Sequence, residues 1–202
     1  MANPKNTSRS NEAGFTLIEM IVAAALFAVV MLVSTTALLA LVGANRKAQS
    51  LQTVMNNLNV ALDGMVRAMR MGSEYYCSTS SSGSNFTETR DCEEGLLFAF
   101  RPFNADSPDD RWVYWYKEDN GVGRIYKSET GDTDDGIAIT APTIDIASLK
   151  FYVVGTDSGD DDEDRIQPKV VIAIRGVAGG DNVKTRTEFS MQATAVQRVL
   201  DL

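Results

Sequence analysis

The stretch that decides the fold is Gly14-Phe15-Thr16-Leu17-Ile18-Glu19, which runs without a break into the apolar residues from Met20 to Val42. Between Phe15 and Ala44 the only charged residue is Glu19. Roughly 20 apolar residues suffice to cross a bilayer as a helix, so residues 15–44 are predicted to form a membrane-embedded helix. The order of parts is not that of an ordinary secretory signal, in which the cleavage site follows the apolar region and that region is discarded. Here the small residue, Gly14, precedes the run, and no small-x-small site with a polar flank follows it closely. The apolar helix is therefore expected to be kept.

Glu19 is the odd residue. A carboxylate costs about 2.5–3.5 kcal/mol at the bilayer centre and less near a helix end. It needs a cation, and a free α-amino group on Phe15, released by a cut after Gly14, lies about one turn away. The amine of a neighbouring chain is a second source. The bland reading is a carboxyl that is protonated or reaches back to the interface.

Gly-Phe-Thr-Leu-Ile-Glu before a long apolar helix resembles the leader motif of type IV prepilins and type II secretion pseudopilins. The resemblance covers residues 14–44. It implies that residues 1–14 are a leader, that a prepilin peptidase cuts between Gly14 and Phe15, and that the same enzyme methylates Phe15. It implies further that Glu19 docks an incoming subunit against a growing filament. Many major pilins of this family carry a proline part-way along the membrane helix. Leu32-Val33-Ser34-Thr35-Thr36-Ala37 has none, which suits a minor pilin or pseudopilin. Orientation also follows from the resemblance, because Lys5 and Arg9 before the helix balance Arg46 and Lys47 after it. The implied location is the inner membrane, single-pass, with the remainder extracytoplasmic. The implied partners are other pilin or pseudopilin subunits, the prepilin peptidase, and an inner-membrane assembly platform with its ATPase.

Beyond the apolar run, residues 45–72 read as an amphipathic continuation of the helix. Leu51, Val54, Met55, Leu58, Leu62, Met65 and Met69 recur at three- and four-residue steps, and Gly72 is a stop. This region resembles J-type pseudopilins and W-type minor pilins. Residues 73–94 read as a Ser-rich loop holding Cys77 and Cys92. Their spacing fits neither a zinc knuckle nor a Cys-x-x-Cys redox pair. Outside the cytoplasm a disulfide is the natural reading, worth about 3 kcal/mol, against two free thiols.

Residues 95–202 carry strand signals: Leu96–Phe100, Trp112–Tyr116, Arg124–Lys127 after an Asp119-Asn120-Gly121 turn, Ser148–Val154, Lys169–Ile174 and Thr185–Ala193. The last two are expected to pair across the turn at 178–182. The expectation is an α+β chain, with one long N-terminal helix packed on a single antiparallel sheet.

The net charge of −8 argues against nucleic acid as a partner. The chain contains no histidine, so no Ser/His/Asp set exists. No cofactor and no enzymatic activity are expected. Asp160, Asp162 and Asp164 are weak calcium candidates, but the EF-hand pattern fails because Arg165 stands where glycine is needed. Asp132, Asp134 and Asp135 form a lesser acidic stretch. Trp112, Tyr114 and Trp115 are either a ligand platform or core aromatics. The rival to a filament subunit is a membrane-anchored extracytoplasmic ligand- or calcium-binding module that does not polymerise.

Overall fold

The computed structural model describes residues 14–84, 86–156, 167–178 and 186–198. The chain divides into two units, Met1–Ala44 and Asn45–Leu202. Helix α1 runs from Leu17 to Met71, and nine strands follow. The layout is α+β and pilin-like, with a long N-terminal helix followed by antiparallel sheets.

In the first unit the helix leaves its apolar side chains uncovered. Seventeen large hydrophobic residues from Phe15 to Val42 are exposed. Burying one such side chain is worth about 1.5–3 kcal/mol, so this segment demands a bilayer or a partner rather than water.

In the second unit the expected stripe is the core face of the helix. Val54, Leu58, Leu62, Met65 and Met69 are buried, while Leu51 and Met55 are half-buried at its beginning. The helix ends where Gly72 passes over Phe100, because a Cβ on Gly72 would sit 2.2 Å from that ring. The Gly72 N–H closes the last turn on the Met69 carbonyl at 3.0 Å.

The strands form two antiparallel sheets rather than the single sheet expected. One has the order β1 (Ser73–Ser78), β3 (Leu97–Arg101), β4 (Trp112–Asp119), β5 (Val122–Ser128) and β6 (Ile137–Ala138). The other has the order β2 (Cys92–Gly95), β7 (Ile144–Val154), β8 (Lys169–Ala178) and β9 (Thr187–Val196). Helix residues Val54–Met69 share one core with Phe98, Phe100 and Tyr114 of the first sheet and Phe151, Ile172 and Ile174 of the second. A smaller cluster of Phe86, Leu97, Ala99, Val113 and Trp115 covers the other face of the first sheet.

Residues 73–94 also depart from expectation. They are not one loop, since β1 and β2 lie within them, one in each sheet. Tyr75 and Cys77 point inward from β1 and are buried, which is the alternation of a strand with one face on the core. The β4–β5 hairpin forms at the expected place. Asn120 and Gly121 have φ of 53° and 77°, the mirror-image turn that matches strand twist. β8 and β9 pair from Lys169↔Val196 to Ala178↔Thr187. The turn joining them beyond Ala178 lies outside the described residues.

Candidate functional site

Gly14, Phe15 and Thr16 precede the helix, and Thr16 is its N-cap. The Thr16 Oγ1 accepts the Glu19 N–H at 3.3 Å, and the Thr16 carbonyl accepts the N–H groups of Glu19 and Met20 at 3.1 and 3.2 Å. Threonine at the cap with glutamate three residues later is the capping-box spacing. Glu19 thus sits in the first turn, where the helix dipole favours negative charge. Sequence reasoning sought a cation for Glu19 and missed this cap, although Thr16-Leu17-Ile18-Glu19 spells it.

The same geometry says what a cut after Gly14 would do. The new ammonium on Phe15 would fall directly before the cap, beside the positive end of the helix. Glu19 is the carboxylate placed to offset both. Phe15 is 79% exposed and Glu19 is exposed, so both are open to an enzyme or to a neighbour.

Further along, Thr35 and Thr36 stand where the expected proline is missing. The Thr35 hydroxyl donates to the Met31 carbonyl at 2.8 Å, and the Thr36 hydroxyl to the carbonyls of Val33 and Leu32 at 2.9 and 3.1 Å. Polar side chains are thereby satisfied inside an apolar helix without a water or a partner.

Cys77 and Cys92 form a disulfide, with Cα atoms 5.6 Å apart. It ties β1 to β2, and so one sheet to the other. Gly95 makes room for it, because a Cβ there would lie 2.2 Å from the Cys77 sulfur and 2.6 Å from that of Cys92.

The aromatic platform is not built. Tyr114 and Trp115 are neighbours on β4 and point to opposite faces, each buried. Trp112 is half-buried beneath the Lys127 ammonium, 3.6 Å from its ring centroid. The Asp132 carboxylate accepts the Asp134 N–H at 3.0 Å and shapes its own turn. The calcium candidates Asp160, Asp162 and Asp164 lie outside the described residues.

A family model described as "Prokaryotic N-terminal methylation motif" matches residues 9–35, a span that contains Gly14, Phe15, Thr16 and Glu19. No curated protein and no solved structure matches the chain. With the capped helix start, the lone first-turn carboxylate and the uncovered apolar helix, residues 9–35 carry the N-terminal methylation motif that is the signature of type IV pilins and pseudopilins.

Proposed function

We propose that the chain is a structural subunit, a minor pseudopilin or minor pilin, of a type II secretion pseudopilus or a type IV pilus. The observation that carries this reading is the methylation motif running directly into an exposed apolar helix. Prepilin peptidase cuts between Gly14 and Phe15 and methylates Phe15. An inner-membrane platform and its ATPase then draw the helix from the bilayer into a filament, where neighbouring helices cover the apolar surface. The Phe15 ammonium and Glu19 pair within or between subunits. The second unit lies outside the cytoplasm, in keeping with its disulfide. The chain performs no catalysis. The missing proline, with hydroxyl-bonded threonines in its place, favours a minor subunit.

The test is the mass and N-terminal sequence of the protein from membranes of cells that hold the peptidase. The expected N-terminus is methylated Phe15, and Gly14→Val is expected to abolish cleavage. A chain still beginning at Met1 in those cells would overturn the reading and leave the anchored, non-polymerising module.

A further inference from the structure

Each sheet has two edges, and three of the four are guarded. β1 is six residues long, kinked at Glu74, and bonded to Arg90 along its outer side: the Cys77 N–H donates to the Arg90 carbonyl and the Arg90 N–H to the Tyr75 carbonyl. β2 has four residues, a register shift and the disulfide. β6 has two residues. β9 is different. It is ten residues long, pairs with β8 without a register shift, and contains no proline, glycine or lysine. Natural sheets blunt long edges with such devices because an open edge is a template for another strand.

The direction of its free groups can be read from the chain beyond it. The Gln197 N–H donates to the Pro168 carbonyl, toward β8. By alternation the N–H groups of the even-numbered residues face outward. Residue 198 follows this rule, since the Arg198 N–H donates outward to the Arg70 carbonyl at the end of α1, at 2.8 Å. Among the described residues the open edge therefore runs from Glu188 to Val196 and stops against the helix end. On its core side Phe189, Met191 and Ala193 pack on the main core but remain half-exposed.

At the stopped end lies an open cavity of about 640 Å³, lined by Arg67, Arg70 and Arg198 together with Val66, Met71 and Asp63. None of the three arginines makes an ion pair among the described residues. Three unpaired guanidiniums around one cavity are unusual in a chain of net charge −8.

We propose that the β9 edge receives an extended strand from a neighbouring subunit, with apolar side chains at alternate positions and carboxylates at the end beside Arg67, Arg70 and Arg198. Its backbone pairs with the even-numbered groups of β9, its apolar side chains cover Phe189 and Met191, and its carboxylates meet the arginines. The inference names a partner chemistry for the subunit proposed above and rests on that reading.

The test uses the full-length chain in detergent and a fluorescent ten-residue peptide of alternating valine and threonine ending in two aspartates. Saturable binding is expected. It should weaken about tenfold or more when alternate peptide amides are N-methylated, when lysines replace the aspartates, or when the chain carries Arg70→Glu with Arg198→Glu. Both arginines are exposed, so these changes leave the core intact. No saturable binding, or equal binding of the N-methylated peptide, would overturn the proposal. So would dimers of the chain that form through β9 and exclude the peptide, because the occupant would then be a second copy. None of these readings depends on leader cleavage, so an uncut N-terminus sinks the subunit reading separately.

Discussion

Glu74 has φ of 53°, a left-handed conformation rare for a side chain of its size. The reason lies in what it holds. Its carboxylate accepts Arg111 Nη2 at 2.5 Å and Arg101 Nη1 at 3.1 Å. Arg111 is buried, and its other donors go to the carbonyls of Phe86, Pro108 and Asp110. Glu74 is thus the sole carboxylate balancing this buried charge among the described residues. Glu74→Ala leaves the guanidinium neutralised by carbonyl dipoles alone and is expected to lower stability by about 3 kcal/mol. Glu74→Gln, which keeps hydrogen-bond acceptance, should cost about half as much. Chemical denaturation of the three proteins would measure both.

At the scale of elements, the end of α1 is tied to β1 by the Tyr75 hydroxyl, which donates to the Met69 carbonyl at 2.6 Å. Burial pushes the Tyr75 hydroxyl well above its ordinary range. The same holds for Tyr114, with the nearby Glu129 carboxylate adding a smaller push. In the unfolded chain both would ionise near pH 10. Above that pH the folded state holds protons the unfolded state has released, so stability falls as pH rises. Denaturation midpoints are expected to be flat from neutral pH to about pH 9 and to decline above pH 10. Tyrosinate absorbance should report Tyr75 and Tyr114 only as the domain unfolds.

The elements also show what the sequence could and could not reveal. The helix, its buried stripe and its stop were legible because apolar residues at three- and four-residue steps have one explanation. The β4–β5 turn was legible because Asn-Gly suits its backbone. β1 was not, because Ser73–Ser78 runs into serines that carry a turn signal and its inward residues are only Tyr75 and Cys77. The second sheet was not, because strand signals give faces but not partners. Leu97–Phe100 is buried at every position, with Phe98 and Phe100 on the main core and Leu97 and Ala99 in the cluster with Phe86 and Trp115.

At the scale of the whole molecule, two different solvents are written into one chain. Residues 15–42 place their large side chains outward, and the Thr16 cap and Thr35 and Thr36 hydroxyls satisfy polar groups from within. The described residues of the second unit bury most of their large apolar side chains inward between helix and sheets. The methylation motif marks where the first regime begins, and its reading required no knowledge of the second. The candidate site was legible almost entirely as sequence for that reason: it depends on short-range order along one helix. The β9 edge and the arginine cavity were invisible, because Arg67, Arg70 and Arg198 meet only when the last strand returns to the end of the helix.

The disulfide between Cys77 and Cys92 acquires another meaning once the protein is imagined under tension. Fourteen residues lie behind that bond, and they cannot add to the extended length of the chain while it is intact. Fully extended, the segment would span roughly 50 Å. A single molecule stretched from its two ends should therefore unravel about 50 Å further after reduction than before it. The bond would act as a stop on the reach of the domain, limiting how far the fold can yield under load.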